Sequence, residues 1–369
     1  MAPGTPDLYI GIMSGTSLDG VDAVLGDFGH DTPRILGHSH LGFDPELREE
    51  LLDLNRPGTN ELERAALAAN RLAQHYAQAV SMLLDQTQTS TADIIAIGCH
   101  GQTVRHRPEL GYTLQINNPA LLAELSHIAV IADFRSRDIA AGGQGAPLVP
   151  AFHAAAFAHP AKHRVIVNIG GIANLTDLPT DSHVIGFDCG PGNMLMDAWC
   201  ALHTGRAYDA NGAWAAGGKV IPQLLEAMLQ EPFFAQAPPK STGRDLFHLE
   251  WLKQFLIPDY TAHDIQATLL RLTVKSIHGA VTSHCGGTDE IYVCGGGARN
   301  SALINSLRHA FAEQATPVAL TDALGVNAEW VEALAFAWLA RQTMLGQAGN
   351  LPAVTGAAHA CVLGAIYPR

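Results

Sequence analysis

Twice along the chain an apolar run enters a turn of small, hydrogen-bonding residues and re-emerges as a second apolar run, and this repetition restricts the fold more than any other feature. The first copy is YIGIM-SGTSLDG-VDAVLGDF over residues 9–28, and the second is RVIVNIGGIANLTDLP over 164–179. Each reads as two strands joined by a turn. A third strand follows in each half, around Ile35–Phe43 in the first and within HVIGFDCGPGN, residues 183–193, in the second. Helices come next: Pro45–Leu54 and Asn60–Leu84 in the first half, then Met194–His203, Lys219–Leu229 and Thr261–His284 in the second. Short buried strands at Ile94–Gly98 and Ile128–Ala132 run into CHGQT and DFRSRD, and a further strand runs into CGGGARN at 294–300. In the helix Ala328–Met344, residues Val331, Leu334, Ala335, Trp338 and Leu339 recur at the spacing of one buried face; Ile265, Leu269 and Leu272 do the same in Thr261–His284. The pattern predicts a duplicated α/β chain.

A length of 369 residues fits two domains, each large enough for its own core. The break at AAGGQGAPLVP, residues 140–150, divides the chain into a domain over 1–140, to which residues 346–369 return, and a domain over 141–345. Apolar residues at 47% and charged residues at 15% describe a well-buried globular protein, and no apolar stretch is long enough to span a bilayer. The start lacks a basic segment and its apolar run is interrupted by Gly11, so a signal peptide is not expected and the protein is placed in the cytoplasm. With 22 Lys+Arg against 35 Asp+Glu, the net charge of −13 opposes binding to nucleic acid or to an anionic membrane surface. Neither the six scattered cysteines nor the 18 histidines form a metal-ligand or disulfide pattern, so buried, reduced thiols are expected.

Polar residues just beyond strand ends are where α/β folds build sites. In Gly15-Thr16-Ser17-Leu18-Asp19-Gly20 the glycines allow close backbone approach, the N–H and hydroxyl groups suit phosphate oxygens, and Asp19 can hold Mg²⁺ through water. The same residues also make an ordinary hairpin turn. Gly170, Gly171 and Asn174 occupy the equivalent turn of the second half. Gly295, Gly296 and Gly297 lie between a strand and a helix, as a surface for adenosine or as a plain helix start. Asp188, at a strand end before a helix that Asn193 can cap, points toward the cleft between the halves as a base or braces its own loop. Neighbouring Cys189 has no histidine partner that would make it a nucleophile. The Walker P-loop and the protein-kinase loops are both absent.

Together, MSGTSLDGVD (13–22), GCHGQTVRHRP (98–108), DFRSRDIAAGGQGAPLVP (133–150), NIGGIANLT (168–176), FDCGPGNMLMD (187–197), KSTGRDLF (240–247) and CGGGARN (294–300) resemble the anhydro-N-acetylmuramic acid kinase family of the actin, Hsp70 and sugar-kinase superfamily. The resemblance implies an actin-like two-domain fold of duplicated ribonuclease-H-like domains around a cleft. It implies a kinase in cell-wall recycling that takes ATP, water and 1,6-anhydro-N-acetylmuramate to N-acetylmuramate 6-phosphate and ADP. By position in the motifs, Gly15, Thr16, Ser17, Leu18, Asp19, Gly20, Val21 and Asp22 would hold the ATP phosphates with Mg²⁺, and Asp188 would be the general base. His100, Gln102, Arg135 and Glu332 would form the sugar site, with Arg135 on the lactyl carboxylate; for Arg137 an ion pair with Asp133 or Asp138 is an equal reading. A homodimer is implied as well. The competing readings are another small-molecule kinase of the superfamily and a non-catalytic, ATP-dependent sensor of wall fragments.

Overall fold

Unbroken apolar runs make strands buried on both faces, and the two such runs nearest the start, LYIGIM and IIAIGC, become adjacent central strands. The structure, a computed structural model, describes residues 6–15, 18–30, 32–181 and 183–369. In chain order the first elements are β1 (Leu8–Met13), β2 (Gly20–Asp27), β3 (Arg34–Gly42), α1 (Pro45–Leu54), α2 (Glu61–Thr87), β4 (Ile94–Cys99), β5 (Gln102–Arg107), β6 (Tyr112–Ile116), α3 (Pro119–Ser126), β7 (Val130–Ala132), α4 (Ser136–Ala140) and α5 (Val149–Phe157). Next come β8 (Arg164–Ile169), β9 (Ile172–Leu178), β10 (Ile185–Pro191), α6 (Met194–Thr204), α7 (Ala213–Ala216), α8 (Pro222–Leu229), α9 (Pro232–Ala235), α10 (Leu249–Lys253), α11 (Ala262–His284), β11 (Glu290–Cys294), α12 (Ser301–Ala310) and β12 (Val318–Leu320). The chain closes with α13 (Val331–Met344), α14 (Pro352–Thr355) and β13 (Ala365–Tyr367).

The strands form one sheet in the order β13-β7-β4-β1-β2-β3 and another in the order β10-β9-β8-β11-β12, with β5 and β6 as a separate hairpin. In both large sheets the first three strands make an antiparallel meander, and two later strands add in parallel beside the first. That shared order is the ribonuclease-H-like arrangement, present twice, and it makes the fold actin-like. The polar β5–β6 hairpin, with Gly111 turning at φ 78°, was not anticipated from the sequence.

By contacts the chain divides into unit 1, Met1–Ala156 with Trp330–Arg369, and unit 2, Phe157–Glu329. Residues 141–156 and 330–345 thus join the first unit, whereas the sequence boundaries at 140/141 and 345/346 put them in the second. The physical reason is α13. Its backbone lies on a glycine patch: Gly11 on β1 and Gly98 on β4 are register partners, and a Cβ on either would run into the Ala333 or Phe336 carbonyl of that helix. Gly11 is therefore a docking surface rather than an interruption, and an added methyl there would cost about 1–3 kcal/mol by overpacking. The predicted face of α13 is buried, but Ala333, Phe336, Ala337 and Ala340 are buried too, so the helix is enclosed on almost every side. In unit 2 the long α11 buries Ile265, Leu269 and Leu272 as its spacing predicted. Among the described residues no helix is long and apolar enough to cross a membrane.

Candidate active site

Unit 1 gathers its candidate residues at the ends of β1 and β4 and at the start of α4. Thr16 and Ser17 lie outside the described residues. Around them, the Leu18 N–H donates to the Gly15 carbonyl at 3.3 Å, and Leu18 itself takes φ 54° with its side chain in the core. Val21 is also fully buried, so Leu18 and Val21 can offer a ligand only backbone atoms. Asp19 is exposed, whereas Asp22 pairs with His40, Oδ1 to Nδ1 at 2.9 Å. The turn is braced from beneath: Ser14 Oγ meets the Tyr76 hydroxyl at 2.9 Å and donates to the Gly101 carbonyl at 3.3 Å, and Gln102 Nε2 donates to the Gly15 carbonyl at 3.3 Å. Gln102, expected at the sugar, is thus tied to the Gly15–Gly20 turn, and its Oε1 is buried without a hydrogen-bond partner among the described residues.

His100 and Arg135 meet directly. Arg135 donates from Nε (3.2 Å) and Nη2 (2.8 Å) to His100 Nε2, and from Nη1 to the Gly145 carbonyl at 2.8 Å. A guanidinium has no acceptor, so His100 Nε2 must carry a lone pair and the ring proton sits on Nδ1. Burial and the neighbouring Arg135 charge push the imidazole pKa down to about 3, which keeps the ring neutral. His100 is an acceptor that orients Arg135, not a proton shuttle. Burial lowers Arg135 to about 10, with Glu332 and Asp138 acting against that fall, so it stays cationic at neutral pH. Of its five N–H groups, two have no intramolecular acceptor among the described residues, the number a carboxylate takes in a bidentate pair.

In unit 2 the meander sets a row of polar side chains across one sheet face. Asn168 on β8 is opposite Asn174 on β9, and Asn174 is opposite Asp188 on β10; residues directly opposite share a face. The Asp188 carboxylate is held on one side only. Its Oδ2 accepts from the Ser241 hydroxyl at 3.1 Å and the Thr242 N–H at 2.9 Å, while Oδ1 has no intramolecular donor among the described residues. The Asp188 N–H is fixed by the Lys240 carbonyl at 3.1 Å. Burial raises the Asp188 pKa to about 6, against the opposing pull of the Thr242 and Ser241 donors and of the Lys240 charge. The carboxyl is therefore poised near neutrality, where a general base works best. Lys240 is itself buried, donating to the Phe233 and Phe234 carbonyls at 3.2 and 3.3 Å over the Phe233 ring, and burial lowers its pKa. Cys189 is no rival: burial pushes its thiol far up, away from the nucleophilic thiolate.

The glycine turns of unit 2 pack on one another. The Gly170 and Gly171 carbonyls accept from the N–H groups of Asn193 and Gly192, both at 2.8 Å. Asn193 immediately precedes α6 but makes no side-chain cap; its amide reaches instead to the Ile169 carbonyl at 3.4 Å. Gly295 has φ 82°, and a Cβ there would strike Asn168, while one on Gly297 would strike the Ile169 side chain. Those two glycines answer to the protein's own packing. Only Gly296 is open, its nearest neighbour 3.9 Å from an added Cβ.

The family model described as anhydro-N-acetylmuramic acid kinase matches residues 7–369. The chain belongs to that family. It is 59% identical over 362 residues to the anhydro-N-acetylmuramic acid kinase of Nitrosospira multiformis, covering 98% of each chain. It is 56% identical to that of Nitrosomonas europaea, covering 98% of this chain and 99% of the relative. For Chromobacterium violaceum the figures are 55%, 98% and 100%. A solved structure, component A of the (R)-2-hydroxyglutaryl-CoA dehydratase of Acidaminococcus fermentans, is similar at 14% identity and a TM-score of 0.47, over 89% of this chain and 96% of that one.

Within the family's KSTGRDLF motif, sequence reading singled out no individual residue, yet Lys240, Ser241 and Thr242 are the groups that hold Asp188. Asn168 likewise lies within a motif that gives it no individual role, although register puts it at the head of the polar row. The first signal was present as a run of polar residues with no helical or strand period; Asn168 is instead a lone polar residue in the apolar run over 165–169, which ends just before two glycines.

Proposed function

We propose that the protein is an ATP-dependent kinase that opens the 1,6-anhydro ring of anhydro-N-acetylmuramate and phosphorylates O6, yielding N-acetylmuramate 6-phosphate and ADP for cell-wall recycling. The observation that carries this reading is Asp188: a carboxylate with one oxygen anchored, the other without an intramolecular donor, and a pKa raised to about 6. In the substrate O6 is an ether oxygen, so it can accept the phosphoryl group only as its bond to C1 breaks. Asp188 takes a proton from a water as that water attacks C1. The C1–O6 bond breaks, O6 bonds to the γ-phosphorus, and the bond from that phosphorus to the β-phosphate bridging oxygen breaks to release ADP. Attack opposite O6 inverts C1. Arg135 pairs with the lactyl carboxylate, with Glu332 close enough to sustain its charge.

ATP phosphates suit the backbone of the Gly15–Asp22 turn and of the Gly170–Gly171 turn, with Asn174 in the row beside Asp188, and the open face of Gly296 in the Gly295–Gly297 turn suits adenosine. The exposed Asp19 carboxylate is a hard oxygen donor of the kind Mg²⁺ takes, and would hold the ion through water to neutralise the phosphates. A homodimer in the cytoplasm completes the reading, on the family resemblance alone. The test is turnover in ¹⁸O-water: label is expected at C1 of the first-formed product and absent from its phosphate, and label in the phosphate would overturn the mechanism.

A further inference from the structure

Arg135 does not hold its own position. Its Nη1 is fixed by the Gly145 carbonyl at 2.8 Å, and Gly145 belongs to a loop without regular structure between α4 and α5. What fixes that loop is Asp138, which is completely buried. Its Oδ2 accepts the Gly145 N–H at 2.7 Å, and its Oδ1 accepts from Asn350 Nδ2 at 2.6 Å and Thr355 Oγ1 at 2.7 Å. Around it the loop is clamped again, with the Gln144 N–H on the Thr355 carbonyl at 2.7 Å and the Ala358 N–H on the Ala141 carbonyl at 2.8 Å. Gly143 packs so closely that a Cβ there would overlap the Asp138 carboxylate, and Gly145 has φ 67°. A buried charge with three donors on two segments is an anchor. It forms no ion pair with Arg135 or Arg137.

We infer that Asp138 is a positioning residue for substrate recognition, acting through the backbone of Gly145 to set the angle of the Arg135 guanidinium. The inference rests on the reading of Arg135 as the carboxylate's partner. One residue carries the link: Gly145 donates its N–H to Asp138 and its carbonyl oxygen accepts from Arg135, so a shift of the loop turns the guanidinium. A bidentate pair tolerates little misalignment, so the loss should fall on carboxylate recognition and not on phosphoryl transfer.

The experiment compares steady-state kinetics of the wild type, Asp138→Asn, Thr355→Val, Arg135→Ala and the double variant Arg135→Ala/Asp138→Asn. The substrates are anhydro-N-acetylmuramate and anhydro-N-acetylglucosamine, which lacks the lactyl carboxylate. Asp138→Asn is expected to raise KM for the muramyl sugar about tenfold, leaving kcat and the KM for ATP within about twofold. It should leave the glucosamine analogue unaffected and add nothing in the Arg135→Ala background. Thr355→Val, which removes one donor and keeps the charge, should move the same KM about two- to threefold, and it decides the matter if Asp138→Asn does not fold. Additive effects in the double variant, or a parallel rise in the KM for ATP, would overturn the inference. An unchanged muramyl KM in Arg135→Ala would overturn the reading of Arg135 itself and this one with it.

Discussion

The two units repeat one strand order, and a row of three register partners across each meander carries different chemistry. In unit 1 the row across the meander reads Met13, Asp22, His40; in unit 2 it reads Asn168, Asn174, Asp188. In the first row the carboxylate sits in the middle and is answered by the histidine opposite, with both side chains exposed. In the second, the carboxylate stands on the outer strand opposite a neutral amide, braced by Ser241 and Thr242. What separates an exposed ion pair from a buried carboxyl poised near neutrality is which position holds the acid and what faces it.

The largest test removes the acid. Asp188→Asn keeps the shape and the Ser241 contact but not the base, so turnover should fall by about 10²–10⁴ while both substrates still bind. Wild-type activity should rise with pH and level off above about 6, because Asp188 takes protons only when ionised and burial has raised its pKa to about 6. In Asp188→Asn that limb should disappear. Near-normal turnover, or an unchanged limb, would break the comparison.

A second change makes the unit 2 row resemble the unit 1 row. Asn174→Asp places a like charge directly opposite Asp188, which disfavours its ionisation, so the acid limb should move upward by on the order of one pH unit or more. Kinetics across pH 5–9 would show it, and a limb that stays put would mean that the facing residue is not what sets the pKa.

The smallest effect is expected in unit 1. His40→Ala dissolves an exposed pair, and such pairs contribute about 0–1 kcal/mol. Thermal unfolding and turnover should both stay close to wild type; a large loss of activity would make the Asp22–His40 pair functional after all.

How far the sequence foretold this depends on the range of the interaction. The hairpins, the α11 stripe and Asp188 at a strand end are local signals: apolar period, small turn residues, a carboxylate before a helix. The polar row is not local, because its register comes from strands that meet only in the sheet. The Gly295–Gly297 turn shows the same limit: its glycines resembled a ligand surface, but Asn168 and Ile169 account for two of them. Gly11 read as a gap in an apolar run until its partner Gly98 and the helix above them came into view. Asn193 had the residue type of a cap and the wrong geometry for one.

That helix also sets a schedule for synthesis. The glycine patch on β1 and β4 is among the first parts of the molecule to be made, and α13, which covers it, is among the last. Unit 2 is continuous and lies wholly between them, so it can complete its core on the ribosome while the first sheet is still open on one face. At ordinary rates of translation that wait is on the order of ten seconds or more. An interrupted chain that stops before α13 would carry a finished middle and an unfinished beginning, and the exposed β1 and β4 surface would be where chaperones and proteases find it.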